Sequence, residues 1–377
     1  MKVLHVASLF DAAGAYGGPA RVALNLTAEL SHRGHVVTLA GATSGYDVVP
    51  GLVDGVACQW FPARTVVPGV GFAGLAAHGL LRKIRAEITE YDVVHVHLAR
   101  DFVTLPVALM ARHHKVPYVV QPHGMVDASS RLLAVPLDRL WTRPALRGAS
   151  RVLYLTRTEL RRLEEFGGHA LPVALLGNGV PPAGDRAWPV GPVPEVIFLA
   201  RLHPRKRAAA FVRVARRLLE DGVSARFAVV GPPGGAEREV QNEVAAAGSD
   251  AIRYEGPIAP DHVPARLAAA SLYVLPSVEE PYPMSVLEAM AVGRPVVVGR
   301  SCGLAEAVER HGCGVTVDDS EESLAQAIRY YLDNPDEARS AGGRGLVAAR
   351  TEFALPSVVD NLERIYHEVT SASEVRR

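Results

Sequence analysis

Residues 277–295 read SVEEPYPMSVLEAMAVGRP and set two carboxylates, Glu280 and Glu288, with seven residues between them. Carboxylates on either side of a turn accept hydrogen bonds from hydroxyls, as on a ribose or a hexose. Ser285-x-x-Glu288 is also a pattern that starts a helix, the hydroxyl accepting from the third backbone N–H while the carboxylate reaches back. The N–H groups of Val286 and Leu287 are then expected to lie free in the first turn, where the helix dipole favours a phosphate. An anion seat beside two acidic acceptors suits a sugar nucleotide. Taken alone, a capping box needs no ligand, and a structural cap is its commoner meaning.

Other chemistry-bearing residues follow strand patterns. ARLHPRKR at 200–207 offers Arg201 and Lys206, with Arg205 and Arg207 beside them. Cations at a strand end can balance a departing diphosphate, whereas an unpaired cluster at a helix start opposes the dipole. QPHGM places His123 at another strand end, and GAYGGP at 14–19 joins a first strand to a helix through Gly17 and Gly18. Glycines there admit close backbone approach and Pro19 suits a first helical position, but the spacing is not GxGxxG. His95 and His97 share one side of a strand; no third ligand with metal spacing is evident, so core or cleft packing is the reading. Arg131, Arg139, Arg143, Arg147, Arg151, Arg157, Arg161 and Arg162, with Arg82, Lys83 and Arg85 upstream, make the first half locally basic. Solvated helix faces explain such a run, and so does contact with an anionic membrane or acceptor.

Short Val-rich runs alternate with Ala/Leu/Arg-rich helical patterns. Strands are expected at 2–8, 35–41, 56–61, 92–97, 117–121 and 151–154, with helices such as 19–33 and 102–114. A Gly, Pro and Asn stretch over 177–194 reads as a linker. Strands resume at 195–200, 226–231, 252–254, 272–275, 295–298 and 314–317, and the tail from Ser320 is helical with a break near Asn334-Pro335. This alternation predicts mostly parallel sheets covered by helices on both faces. The 377 residues are 49% hydrophobic, enough for two domains with sizeable cores. Forty basic and forty acidic residues balance to a formal charge of zero, which argues against a general nucleic-acid binder. Cys58, Cys302 and Cys313 lack metal spacing and are expected to be reduced thiols. His5 and Asp11 make the N-terminal apolar run a buried strand rather than a secretory leader. The apolar stretch 66–81 holds Pro68, glycines and His78 and is shorter than the ~20 residues of a spanning helix.

The 277–295 stretch resembles the signature of the family-4 retaining glycosyltransferases (glycosyl transferases group 1), with matches at Glu280, Pro281, Tyr282, Glu288, Ala289, Met290, Ala291, Gly293, Pro295 and Val296. Pro283 departs from it, where the family often has glycine, and removes an N–H. Arg201 with Lys206, His123, Asn178-Gly179-Val180, YEGPI at 254–258 and, imperfectly, GPPGG at 231–235 resemble further family motifs in the same order. The resemblance implies a GT-B α/β fold of two Rossmann-like doubly wound domains facing a cleft. Residues 1–180 would form the acceptor-side domain, 181–353 the nucleotide-sugar domain, and 354–377 a C-terminal helix crossing back to the first. The implied function is retaining, metal-independent transfer from a nucleotide-diphosphate sugar to a hydroxyl acceptor, in polysaccharide, glycolipid or secondary-metabolite biosynthesis. A UDP-sugar is favoured and a GDP-sugar stays open.

The implied catalytic set is His123, Glu280, Arg201 and Lys206. Donor-side residues would be Gly17, Gly18, Arg201, Lys206, Ile258, Ser285, Val286, Leu287 and Glu288. Glu288 would accept from ribose and Glu280 from the donor sugar. The expected partners are the donor and the acceptor, without nucleic acid, and with peripheral membrane contact through the first domain. No metal or cofactor is implied. The expected location is cytoplasmic or at the inner membrane face. A nucleotide-sugar epimerase or hydrolase of the same fold, and a non-catalytic sugar-nucleotide-binding subunit, remain the alternatives.

Overall fold

The computed structural model describes residues 1–11, 17–46, 51–53, 55–127, 134–184, 187–189, 191 and 193–374. Residues 14–16 of the GAYGGP loop, and Arg131, lie outside them. The chain divides into two compact units. One runs from the N-terminus to Gly179 and takes in the last helix from Leu355; the other runs from Val180 to Ala354.

The first unit lays down β1 (Lys2–Asp11), β2 (Val36–Ser44), β3 (Leu52–Val53), β4 (Val56–Pro62), a small ribbon of β5 (Arg64–Thr65) and β6 (Leu75–Ala76), then β7 (Val93–His97), β8 (Tyr118–Gln121), β9 (Arg151–Tyr154) and β10 (Val173–Leu175). Its main sheet has the order β10-β9-β8-β7-β1-β2-β4-β3. All neighbours in it run parallel except β3, which is antiparallel to β4. Helices on both faces explain why β7 and β8 are buried at every position and read as continuous rather than alternating apolar runs. β3, β5, β6 and β10 were not expected. They span two or three residues, too few for a periodic signal.

The helix Leu355–Glu374 belongs to this first unit, as expected for a returning C-terminal helix. Val359, Leu362, Tyr366 and Val369 are all buried, a stripe of three- and four-residue steps that faces the unit. Arg33 ties its exposed edge, reaching Asp360 at 2.6 Å, Glu363 at 2.7 Å and the Pro356 carbonyl at 2.8 Å. Gly179 precedes this junction because only glycine fits: a Cβ there would stand 2.7 Å from the Leu355 backbone.

The second unit contains β11 (Glu195–Leu199), β12 (Arg226–Val230), β13 (Ile252–Gly256), β14 (Leu272–Leu275), β15 (Val296–Gly299) and β16 (Gly314–Val317). The order β13-β12-β11-β14-β15-β16, parallel throughout, is that of a doubly wound nucleotide-binding sheet. Such sheets bind ligands beyond the strand carboxyl ends at the point where strand order reverses, here between β11 and β14. Among the described residues no helix is long and apolar enough to cross a membrane.

Candidate active site

The loops leaving β11 and β14 meet at that reversal point. Val278 N–H donates to the Arg205 carbonyl at 3.0 Å, and the Glu280 carbonyl accepts from Gly303 N–H at 2.8 Å. So anchored, Glu280 reaches Lys206: Nζ to Oε2 is 2.6 Å, with the side chains only 16% and 11% exposed. Two residues singled out for different jobs are therefore one mostly buried ion pair. Arg207 holds the same corner, donating to the carbonyls of Pro276 at 3.4 Å and Asp319 at 2.7 Å. The basic cluster was expected to need an outside anion. Instead Glu280 and main-chain carbonyls already supply part of the balance. Arg205 is exposed and Arg201 partly buried.

His203 was not singled out, yet it reports the local field. Burial lowers its basicity first, and Arg205, Arg201 and Lys206 lower it further. Its Nδ1 accepts from Arg205 N–H at 3.2 Å, capping the turn Pro204–Lys206. Gly231 lets the β12 loop press against this corner, since a Cβ would lie 2.0 Å from the Ala200 carbonyl oxygen. Tyr254 pins the loop from the other side, its hydroxyl donating to the Gly231 carbonyl at 3.1 Å. Glu255 is held by Arg266 at 2.8 Å, and half-buried Ile258 packs on the core.

The helix after β14 differs from the expected one. It runs Met284–Ala291 with Pro283 as N-cap and no side-chain cap, so Ser285 lies inside the first turn and Ser285-x-x-Glu288 is not a capping box. Proline holds a backbone angle that leads into a helix and needs no N–H partner, so it starts the helix two residues early. Ser285 is used otherwise. The Tyr273 phenol lies 3.1 Å from the Leu199 carbonyl and 2.7 Å from Ser285 Oγ. A carbonyl can only accept, so the phenol proton goes to Leu199 and the serine donates its own. Val286 N–H is not free either: it donates to the Pro283 carbonyl at 3.2 Å. Met284 and Ser285 supply the first N–H groups of this helix start, ahead of those of Val286 and Leu287. The side chains of Val286 and Leu287 are fully buried core, and Glu288 is partly exposed.

Gly17, Gly18 and His123 belong to the first unit. Gly17 and Gly18 open the helix Gly17–His32. His123 has a positive φ of 54°, as does Glu279 beside Glu280 at 51°. A non-glycine residue in that region costs energy and persists where surroundings enforce it. Next to His123, Glu159 accepts from Gly124 N–H at 2.5 Å and Leu155 N–H at 2.6 Å and so ties down the turn that follows it. Burial raises the affinity of Glu159 for a proton, and those two N–H groups oppose the rise. Sequence reasoning missed Glu159, although Thr156-x-x-Glu159 carries the cap signal: Thr156 Oγ1 accepts from Glu159 N–H at 3.1 Å.

The third partner for His95 and His97, absent from their own strand's surroundings in sequence, is His5 on β1. Nitrogens of the three lie within 4.8 Å of one another. Elsewhere in this unit a cavity of about 700 Å³ is lined by Arg112, Arg139, Arg143, Arg147, Asp138 and Phe166 among others. Arg112 and Arg147 donate to the carbonyls of Pro144 and Gly167, and Arg143 lies 5.1 Å over the Phe166 ring, so this basic run also holds helices together. The three cysteines are free thiols. Burial pushes Cys302 up to about 12 and Cys313 up to about 11.

Comparison with known proteins agrees with this division. A Glycosyl transferase 4-like domain matches residues 17–179, and Glycosyl transferases group 1 matches residues 193–334. A D-inositol 3-phosphate glycosyltransferase of Geodermatophilus obscurus is 28% identical over 368 residues, 90% of this chain and 78% of that protein. An alpha-D-kanosaminyltransferase of Streptomyces kanamyceticus is 25% identical over 282 residues, 69% of this chain and 73% of that protein. Sucrose-phosphate synthase from Thermosynechococcus elongatus superposes with a TM-score of 0.79 at 17% identity, over 99% of this chain and 100% of that one. Anabaena HepE in complex with UDP and glucose gives 0.77 at 17% identity, over 97% and 98%. The chain therefore has the two-domain architecture of a GT-B glycosyltransferase, a 4-like domain followed by a group 1 domain.

Proposed function

We propose that the protein is a retaining, metal-independent glycosyltransferase whose second unit holds a nucleotide-diphosphate sugar. The observation that carries this reading is the Lys206–Glu280 pair at the reversal point of the second sheet, beside the start of the helix Met284–Ala291.

In this reading the diphosphate sits on the N–H groups of Met284 and Ser285, with Arg201 and Lys206 balancing its charge. A diphosphate competes with Glu280 for Lys206. Its arrival releases the carboxylate to accept from the donor sugar's hydroxyls. Glu288 accepts from ribose hydroxyls. As the bond from sugar to diphosphate breaks, charge grows on the leaving oxygen, where Arg201, Lys206 and the helix dipole stabilise it. The acceptor hydroxyl attacks from the same face and passes its proton to the leaving phosphate, which gives retention. His123 meets a hydroxyl of the transferred sugar. Cations and helix dipole together do the work that a metal ion does at other diphosphate sites, which supports metal independence. UDP is the favoured base carrier, since the similar HepE structure holds UDP and glucose. The arginine-lined flank of the first unit, with Val135 57% and Leu140 66% exposed, is where we place peripheral contact with an anionic membrane.

A thermal-shift comparison of UDP, GDP and ADP, each with and without EDTA, tests the reading. A ligand of the native state raises the melting temperature by mass action. A rise with UDP that survives EDTA is expected. No rise with any nucleotide, or one abolished by EDTA, would contradict the proposal.

A further inference from the structure

One face of the first sheet is lined with imidazoles. His5 on β1 is in register with His95 on the adjacent β7, and His97 follows two positions later, so the three share a side. His123 stands just past β8, and the helix Leu355–Glu374 covers the group with Tyr366. His5, His95, His97 and Tyr366 are 0% exposed and His123 is 8% exposed.

Their polar atoms connect end to end. His95 Nδ1 is 2.6 Å from the Tyr366 hydroxyl, which is 3.0 Å from His5 Nε2. His5 Nδ1 is 3.1 Å from His97 Nε2, and His97 Nδ1 is 2.8 Å from His123 Nε2. At the other end, Gln121 Nε2 donates to Asn178 Oδ1 at 3.3 Å, which leaves the Gln121 oxygen as an acceptor. That oxygen and His95 Nε2 are both buried, and neither has a hydrogen-bond partner within bonding distance among the described residues. Gln121 raises the proton affinity of His95, the effect of an acceptor facing a ring N–H.

Counting protons then fixes the direction. Burial lowers all four imidazoles, His95 and His123 to about 3 and His5 and His97 well below the usual range. Each ring therefore carries one proton, and the phenol keeps its own. With His95 Nε2–H turned to Gln121, its Nδ1 accepts from Tyr366. Tyr366 then accepts from His5 Nε2–H, His5 from His97 Nε2–H, and His97 from His123 Nε2–H. The reverse sense would set a lone pair of His95 against the Gln121 oxygen.

A metal site fits these groups less well. His95 and His97 stack within 10° of parallel, and His97 and His123 within 8°. Parallel rings send their in-plane lone pairs side by side, whereas a bound zinc needs them to converge at about 2.0–2.1 Å. The phenol also already occupies one nitrogen each of His5 and His95.

We propose that Tyr366, His5, His95 and His97 form a buried hydrogen-bonded relay that sets His123 as the Nε2–H tautomer, so that its Nδ1 is presented as an acceptor to a ligand hydroxyl. Only the last clause rests on the glycosyltransferase reading. The four are positioning residues, and through Tyr366 the C-terminal helix helps define the chemistry of a residue at the end of β8.

The test is nitrogen NMR of the full ligand-free protein carrying ¹⁵N-labelled histidine, with His123 assigned from the spectrum of His123→Asn. A single Nε2–H signature for His123 is expected, giving way to mixed tautomers in Tyr366→Phe, which keeps the ring and removes the link. An Nδ1–H or doubly protonated His123 in the wild type would overturn the relay, and so would an unchanged signature in folded Tyr366→Phe. If that variant does not fold, the wild-type spectrum decides. One equivalent of zinc should leave the signals in place; stable zinc uptake by His5, His95 and His97 would overturn the proposal in favour of a metal site. In a transfer assay Tyr366→Phe is expected to lower kcat several-fold with the donor KM unchanged. Because the tautomer is read without substrate, failure of the relay and failure of the transferase reading give separate results.

Discussion

The two units bury polar groups by opposite means. The second unit buries a charged pair, Lys206 and Glu280, that keeps 16% and 11% of its side-chain exposure. The first unit buries four imidazoles and a phenol almost completely and keeps them uncharged. A nearly buried ion pair is costly to leave half-made, because one charge would stay uncompensated. It therefore suits a place where an anionic ligand exchanges partners with a protein carboxylate. A chain of neutral donors and acceptors holds orientation without charge and tolerates no added proton. In the proposed reading, the contrast separates a loop that responds to a ligand from a core that aims a side chain.

The sharpest way to break this contrast is Glu280→Ala. It strands the Lys206 charge and should cost about 2–3 kcal/mol of stability, less than a fully buried pair because some exposure remains. Transfer should fall by two orders of magnitude or more, on the order of a lost transition-state contact. Urea unfolding and a transfer assay check both, and a fully stable, active variant would dissolve the distinction. Acid should act on the other region. The four imidazoles bind protons far more weakly folded than unfolded, so stability is level above about pH 6.5 and falls as pH drops toward 3. Each group adds about 1.4 kcal/mol per pH unit to that slope once the unfolded form is protonated. Urea midpoints from pH 7.5 to 4.5 should show the decline, and His5→Gln should flatten it. An equal slope in wild type and variant would mean that His5 is not buried uncharged.

Smaller effects sharpen the picture. Glu288→Ala should weaken nucleotide binding about tenfold, the loss of one or two hydrogen bonds to a charged acceptor, with little change in melting temperature. Calorimetric titration with UDP reads it. Thr156→Ala removes a true cap and should cost about 1 kcal/mol. Ser285→Ala should cost less, since Tyr273 keeps its bond to the Leu199 carbonyl. The reverse ranking would restore Ser285 as the cap.

Much of the fold was readable because buried parallel strands are apolar runs and helices fill the gaps between them. Expected strands at 151–154, 272–275 and 314–317 agree with β9, β14 and β16 to the residue. What was illegible depended on topology. Lys206 and Glu280 meet only because β11 and β14 are neighbours in space, and His5 joins His95 only because β1 pairs with β7. The same four-residue cap pattern occurs at Thr156–Glu159 and Ser285–Glu288 and is realised only at the first. At the second, Pro283 starts the helix earlier and the phenol of Tyr273 claims the serine, which local pattern cannot reveal.

The central claim is that a nucleotide-diphosphate sugar binds the second unit at the Lys206–Glu280 corner. Hydrogen–deuterium exchange with and without UDP tests it most directly, because it reads which backbone segments a ligand protects. The account predicts slowed exchange in peptides covering 200–207 and 277–291. UDP binding that leaves those segments unprotected, or protects only segments of the first unit, would contradict it.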